Sequence, residues 1–244
     1  MIKAYAKSDI GKVREINQDS YYISDSLDQV QLYMLADGMG GYNGGEIASK
    51  LAIQSAKSYI ENNFKDIEKD RESILQLVGS SMEYANMVVY EKSKENKELE
   101  GMGTTLEICL IYNNKVYIGH VGDSRIYRIR KEFMRKLTQD HSYVQKLVKD
   151  GTITKEEAMH HPQKNMLMKA LGCNAFVEPD VMVKGFLKED ILIMCSDGLT
   201  NLVSQEEIFK EAKKDIEQAP KELVDKANNN GGYDNITVVV IKNI

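Results

Sequence analysis

Residues 30–45 read VQLYMLADGMGGYNGG, and this stretch does most to decide the fold. The apolar run over residues 30–36 predicts a strand, and Asp37 stands directly at its end. A glycine-rich segment then leads into a helix that we expect over residues 46–62, where apolar positions recur at helical spacing. The stretch therefore places a carboxylate where a strand gives way to a helix.

The dipeptide Asp37-Gly38 has two interpretations. Asp-Gly is a strong signal for a tight hairpin turn, and for one dipeptide alone the turn is favoured. However, the same order recurs at Ser196-Asp197-Gly198-Leu199, again between an apolar run and a predicted helix. Together the two favour carboxylates held at strand ends near a metal ion, with Gly38 letting a backbone carbonyl approach the same ion.

The order of predicted elements indicates an α+β fold with antiparallel sheets and helix pairs packed outside them, because regular βαβ alternation is missing. We expect one domain over residues 1–244, with residues 140–172 as an excursion of short helices and loops. The remaining predicted elements are strands at 2–8, 20–25, 180–185, 190–195 and 235–242, a meander of strands over 104–137, and helices at 72–95, from 205 and at 219–228.

Local signals predict how several elements begin and end. Residues 26–29 and Asn113-Asn114 are predicted turns, since Asn tolerates positive φ. Thr154-x-x-Glu157 and Ser204-x-x-Glu207 have the spacing of capping boxes. The polar end of the second helix, residues 91–100, is expected to fray into a loop.

Composition restricts the class of protein. The 244 residues are 42% hydrophobic and 28% charged, with a formal charge of −5, which is typical of a soluble globular protein and argues against nucleic-acid binding. No apolar run approaches the roughly 20 residues that span a bilayer, and the start of the chain resembles no signal peptide. The three cysteines form no spaced set. We therefore expect a cytoplasmic location without membrane contact.

Aspartates recur where apolar runs begin or end. A sheet brings such ends together, and clustered carboxylates repel one another unless protons or cations neutralise them. Oxygen ligands favour Mg²⁺ or Mn²⁺, so the pattern indicates a metal-dependent enzyme. Each aspartate alone also has a simpler interpretation, for example as a turn residue. The metal-site interpretation is favoured only because the whole set occurs together. The set consists of Asp19, Asp37, Asp123, Asp197 and Asp234.

Six blocks spread along the chain resemble the metal-dependent protein phosphatases of the PP2C type (PPM family), in their compact bacterial form. The resemblance implies a four-layer α-β-β-α sandwich, two antiparallel sheets flanked by helix pairs, with two Mn²⁺ or Mg²⁺ ions at one end. The blocks are residues 14–19, 36–45, 101–105, 119–125, 195–199 and 232–237.

The resemblance also assigns metal ligands. Asp37 is similar to the ligand that bridges both ions, and the Gly38 carbonyl to a ligand of the second ion. Asp197 and Asp234 resemble the remaining ligands of the first ion. Asp19 is similar to a residue that holds metal-bound water. Catalysis by Asp37, Asp197 and Asp234 would thus act through the ions.

Further roles follow from the same resemblance. Asp123 resembles a ligand of a third, weaker ion, and Arg14 the arginine that grips the substrate phosphate. Residues 140–172 resemble a mobile flap beside the site. The implied reaction is hydrolysis of phosphoserine and phosphothreonine in proteins by a hydroxide that bridges the metal ions, which needs no cysteine nucleophile.

Two positions depart from the animal members of the family. Met39 stands where those relatives carry a histidine proposed as general acid, and Gln18 replaces a glutamate. The bacterial branch shares both features, so the identity of the acid is open. His141 and His161 are candidates, although polar contacts within residues 140–172 are the more natural interpretation for both.

Three functional hypotheses remain. The first is a monomeric protein phosphatase that opposes a bacterial Ser/Thr kinase and acts on phosphorylated proteins. The second is a phosphatase devoted to one regulator, but such relatives usually carry sensory domains. The third is a non-catalytic pseudophosphatase, which would be expected to have lost metal aspartates that are all present here.

Overall fold

The fold is described from a computed structural model that covers residues 1–25, 31–40 and 44–244. The predicted turn at 26–29 lies outside the described residues. Within these ranges no helix is long and apolar enough to cross a membrane.

Strands and helices follow the predicted order closely. The strands are β1 (Ile2–Asp9), β2 (Asp19–Ile23), β3 (Gln31–Met39), β4 (Gly103–Thr104), β5 (Leu106–Tyr112), β6 (Lys115–Val121), β7 (Arg125–Arg130), β8 (Phe133–Lys136), β9 (Asp180–Gly185), β10 (Ile191–Cys195) and β11 (Ile236–Asn243). The helices are α1 (Gly44–Asn63), α2 (Arg71–Glu95), α3 (Tyr143–Lys149), α4 (Lys155–His160), α5 (Asp197–Thr200), α6 (Gln205–Lys214) and α7 (Ala219–Asn229).

The described strands form two antiparallel sheets. One has the order β1-β11-β10-β7-β8, and the other has the order β2-β3-β5-β6-β9 with the short β4 paired to β3. The last strand, β11, therefore lies inside the first sheet, between β1 and β10.

Three apolar clusters hold the layers together. One lies between the sheets, with Leu35, Ile118 and Val239 among its members. A second lies between α1–α2 and the six-stranded sheet. The third lies between α6–α7 and the five-stranded sheet. Small residues at four-residue spacing, fully buried at Ala48, Ala52 and Ala56, let α1 approach its sheet closely.

The predicted fold class, two antiparallel sheets flanked by helix pairs, is confirmed. Asn113 and Asn114 have φ of 47° and 57°, as the tight turn requires. Both predicted capping boxes are present. The tail of the second helix differs in part from the prediction, because α2 stays helical to Glu95 and a 3₁₀ turn follows at Lys97–Leu99.

One strand boundary corrects the sequence analysis. Asp37 does not follow β3 but lies within it, because the strand continues to Met39. The extension is stabilised by β4, where Gly38 pairs with Thr104. A period-two apolar pattern could not predict this end, since the backbone pairing comes from residues more than sixty positions away.

Candidate active site

The six-stranded sheet brings two of the predicted aspartates side by side. Asp19 opens β2 and Asp37 lies near the end of β3, and the two are direct partners in the antiparallel register. The Gly38 amide donates to the Gln18 carbonyl at 3.2 Å, which extends the pairing past the aspartates. Like charges directly opposite one another destabilise a sheet, so this pair needs compensation.

The other three aspartates come from strand ends of the five-stranded sheet. Cys195 is the register partner of both Arg125 and Val238. Asp197 lies two residues beyond Cys195, and Asp123 two residues before Arg125, so both leave neighbouring strands at the same edge. Asp234 precedes β11 at this edge as well.

All five aspartates act on one another electrostatically. Burial is the main cause that raises the pKa of Asp37 well above its usual range, and the charges of Asp19, Asp197, Asp123 and Asp234 add to it. Asp37 thus lies at the centre of the cluster.

Asp19 is the most enclosed member of the cluster. Burial raises its pKa to about 7, against the lowering effect of the Thr237 and Ser196 hydroxyls. Ser196 Oγ donates to Asp19 Oδ2 at 2.8 Å. The second oxygen, Oδ1, is buried and has no hydrogen-bond partner. A buried acceptor of this kind is costly unless a ligand or water completes it.

Asp123 and Asp197 are partly buried. Burial, followed by the charges of Asp197 and Asp140, raises the pKa of Asp123 to about 8. Burial and the charge of Asp234 likewise raise the pKa of Asp197, whose Oδ2 accepts from Asn201 Nδ2 at 3.1 Å. Ionisation of these two carboxyl groups is therefore disfavoured, as it is for Asp19 and Asp37.

Arg14 supplies positive charge at the rim of the cluster. Its Nη2 donates to Asp234 Oδ2 at 2.9 Å, and the Arg14 side chain is 51% exposed. A guanidinium has five N–H donors, and the bond to Asp234 uses one of them, which leaves others for a ligand at this half-exposed side chain. In the part of the chain that the structure describes, no three His, Cys, Asp or Glu side chains approach closely enough to enclose one cation. The aspartates form an electrostatic cluster rather than a closed ligand cage.

Sequence reasoning missed Asn235, which organises the loops of the cluster. Its Nδ2 donates to the carbonyls of Ile10 and Ile16, at 2.9 and 3.0 Å, and its Oδ1 accepts from the Gln18 amide at 2.9 Å. The side chain therefore fixes the segment between Ile10 and Gln18, which carries Arg14. Its position next to Asp234 was the one sequence signal for this role, because its hydrogen-bond partners lie more than 200 positions away in the chain.

Thr105 is a second missed residue. Its Oγ1 accepts from the Asp37 amide at 2.9 Å, and its own amide donates to the Asp37 carbonyl at 2.9 Å. Thr105 Oγ1 also lies 2.9 Å from Ser124 Oγ. Through these bonds Thr105 links the strand that bears Asp37 to the turn that bears Asp123.

The two candidate acids occupy different surroundings. His141 Nδ1 accepts from the Gly122 amide at 3.1 Å, so this ring lies next to the Asp123 turn. His161 Nδ1 accepts from the Gln163 amide at 3.1 Å within the 140–172 segment. Local polar contacts, the simpler interpretation, therefore describe His161 well, whereas His141 also reaches the edge of the cluster.

Comparison with known proteins identifies the family. The family model for protein phosphatase 2C matches residues 12–230. The chain belongs to the protein phosphatase 2C family. The serine/threonine phosphatase stp of Listeria innocua is 37% identical over 240 residues, which cover 97% of this chain and 94% of the relative. Protein phosphatase PhpP of Streptococcus pneumoniae is 37% identical over 239 residues, covering 96% and 94%.

Solved structures of protein phosphatase 2C relatives share the whole fold. The serine/threonine phosphatase of S. agalactiae superposes with a TM-score of 0.91 at 36% identity, covering 100% of both chains. The catalytic domain of the phosphatase PstP, solved in complex with two manganese ions, gives 0.86 at 34% identity, covering 99% and 97%. The predicted family, in its bacterial form, and the predicted enzyme class, protein-serine/threonine phosphatase, are confirmed.

Proposed function

We propose that the chain hydrolyses phosphoserine and phosphothreonine in proteins, and that its aspartate cluster binds two divalent cations, Mn²⁺ or Mg²⁺. The observation that carries this proposal is the convergence of five aspartates from both sheets on Asp37, whose pKa is raised by burial and by the other four. Such a cluster is compatible with neutral pH when cations replace the missing protons. The manganese ions of the related PstP structure agree with this choice.

The residues present fit such ions. Carboxylate and carbonyl oxygens are the ligands that hard divalent cations prefer, and the buried Asp19 Oδ1 is an acceptor without a partner. Asp37 would bridge two ions, with Gly38, Asp197 and Asp234 as further ligands and Asp19 acting through water. Asp123 would hold a third, weaker ion. When bound, the ions supply hydroxide from water at neutral pH and neutralise phosphoryl oxygens.

The chain's own side chains orient the substrate. Arg14 is held at the rim by Asp234, and its outward N–H groups would bind phosphoryl oxygens in the bidentate manner of a guanidinium. A cysteine nucleophile is disfavoured, because burial raises the pKa of all three cysteines, Cys109, Cys173 and Cys195, the last to about 12. Hydrolysis without a covalent phosphoenzyme is the reaction that these surroundings favour.

The wider setting is also proposed from the sequence. We place the protein in the cytoplasm as a monomer of one domain, residues 1–244, opposing a Ser/Thr kinase on shared phosphoprotein substrates. No membrane or nucleic-acid partner is expected, since the formal charge of −5 disfavours polyanions.

Phosphate release from phosphopeptides tests the proposal. Protein dialysed against EDTA should release no phosphate from phosphothreonine peptides, and Mn²⁺ should restore release. Matched phosphotyrosine peptides should be poor substrates in the same assay. Full turnover in EDTA would contradict the metal-dependent mechanism, and a preference for phosphotyrosine would contradict the substrate class.

A further inference from the structure

A buried ion pair that the hydrolysis does not use lies in the six-stranded sheet. Glu107 of β5 and His120 of β6 are register partners, and both side chains are fully buried. His120 Nδ1 lies 2.9 Å from each carboxylate oxygen of Glu107. Burying two ionisable groups in apolar strands is costly, so their presence calls for a physical explanation.

The surroundings of His120 fix its protons. Its Nε2 lies 2.8 Å from the Gln139 carbonyl, which can only accept, so Nε2 carries a hydrogen. Its Nδ1 shares a second proton with Glu107. Burial alone would lower the pKa of His120, but the Glu107 carboxylate outweighs this effect and raises it to about 9. Both ring nitrogens face oxygen acceptors, and this geometry favours an imidazolium.

His141 stacks on this imidazolium. The ring centroids are 4.5 Å apart and the planes are inclined by 27°. The Gly122 amide donates to His141 Nδ1, so the single ring hydrogen is on Nε2, which lies 3.3 Å from Asp180 Oδ2. Burial and the His120 charge lower the pKa of His141 to about 4, so its ring is neutral.

His141 holds Gly122 at both of its backbone polar groups. Besides the bond to Nδ1, the His141 amide donates to the Gly122 carbonyl at 2.7 Å. Gly122 has a φ of +119° and is packed against Thr105, so this turn has no room for a side chain. The residue after Gly122 is Asp123. The His141 carbonyl in turn accepts from the Met168 amide at 2.8 Å, which connects His141 to a later part of the 140–172 segment.

We propose that His141 is a positioning residue for the phosphatase reaction: it clamps Gly122 and thereby fixes the turn that presents Asp123, while the Glu107–His120 pair supports its ring from below. This inference rests on the function proposed above. It gives the buried pair a role, since the His120 ring stacks on His141 at 4.5 Å and supports it in the position where Nδ1 accepts from the Gly122 amide.

Two amide variants separate the clamp from simple packing. In His141→Asn, the side-chain carbonyl replaces Nδ1 as the acceptor for the Gly122 amide. In His141→Gln, the amide reaches the position of Nε2 near Asp180 but leaves Gly122 without its acceptor. His160→Gln, at an exposed histidine of the same segment, is the matched control.

We expect His141→Gln to lower kcat for phosphothreonine peptides about tenfold or more, the range of losses typical for residues that orient metal ligands. KM should change little, because Arg14 is untouched. His141→Asn should restore most of kcat, and His160→Gln should match the wild type. In metal-free protein labelled with ¹⁵N-glycine, the Gly122 amide signal should shift in His141→Gln but stay near its wild-type position in His141→Asn.

Equal losses of kcat in both variants, with equal falls in melting temperature, would overturn the proposal in favour of a purely structural role. Wild-type kcat in His141→Gln would overturn it as well. If the wild type itself released no phosphate, the proposed function would fail. The Gly122 amide signal would then still decide whether the clamp exists, because that measurement needs no activity.

Discussion

Asp37 is the aspartate on which the other four act together, and this makes it the most informative residue to neutralise. Its raised pKa means that its charge costs stability in the folded, metal-free protein at neutral pH. The sign follows from linkage, since a carboxyl whose folded pKa is raised favours folding at low pH and opposes it as pH rises.

Asp37→Asn should therefore keep or raise the melting temperature of the metal-free protein while nearly abolishing phosphate release. Mn²⁺ should stabilise the wild type through mass action, whereas the variant should lose most of that gain. Thermal scans with EDTA and with Mn²⁺ measure both effects. A lower melting temperature in EDTA would show that Asp37 is instead held by favourable contacts.

Arg14 tests substrate capture at the same scale. Arg14→Ala should raise KM for phosphopeptides and lower kcat/KM about tenfold or more, since a charge-assisted hydrogen bond contributes about 1.5–3 kcal/mol. Arg71→Ala, which removes an exposed arginine of α2 paired loosely with Glu72, is the control and should change neither parameter. Unchanged kcat/KM in Arg14→Ala would show that Arg14 is an ordinary surface residue without a role in substrate binding.

At the scale of elements, most strands were predictable from apolar runs, and so were the aspartates near their ends, but the end of β3 was not, since the strand continues past Asp37 to Met39. The contacts that hold the ends were not predictable either. Asn235 acts on residues 217 to 225 positions away, which no local pattern encodes. Glu107 and His120 interrupt apolar strands visibly, but only the register of β5 and β6 shows that they face each other.

The pair gives β5 and β6 a pH dependence of known sign. The folded pKa of His120, about 9, exceeds its ordinary value of 6.5, so its stabilisation is complete below about pH 6.5 and is lost as pH rises through 9. Burial raises the pKa of Glu107 to about 7, which acts in the same direction. The groups that act on the pair are Asp180, Asp140 and His141, and Lys169 acts on His141 in turn.

The double variant Glu107→Gln/His120→Gln removes this titration and keeps polar side chains at both positions. In EDTA, the wild type should lose unfolding free energy relative to the variant as pH rises from about 4.5, the ordinary pKa of Glu107, through about 9, the folded pKa of His120. Urea unfolding at several pH values measures the unfolding free energy of both proteins. The neighbouring titratable groups and the aspartate cluster are present in both, so their contributions largely cancel in the difference. Parallel pH profiles would contradict the assignment of a charged pair.

The helix–strand junction at Asp197 depends on a glycine for space. A Cβ at Gly198 would collide with the Asn235 carbonyl, so Gly198→Ala must displace α5 or the loop before β11. We expect a loss of about 1–3 kcal/mol, as for overpacked cores. Gly79→Ala, in the interior of α2, would meet only Val181 at 3.5 Å and should gain about 0.5–1 kcal/mol. Denaturant unfolding of both variants checks the opposite signs.

At the scale of the whole molecule, the element order predicted the layers, because strands and helix pairs that bury one face each can stack in few ways. The order of strands within each sheet did not follow from it. The position of β11 between β1 and β10 is set by long-range pairing. The same pairing brings Asp234 to the edge where Asp197 and Asp123 leave their strands.

This placement of β11 has a consequence for synthesis on the ribosome. The only strand that pairs with β1 in the described part of the chain is β11, so the first strand to emerge must wait for nearly all of the remaining residues. The six-stranded sheet, built from residues 19–185, has all its strands much earlier, and domains tend to fold from the N-terminal side as they emerge. Until translation reaches β11, a nascent chain would therefore have the six-stranded sheet complete but the five-stranded sheet and the aspartate cluster incomplete. Because Asp234 lies directly before β11, we expect catalytic competence only once this strand has been made, and a prematurely released chain should be inactive on phosphoproteins.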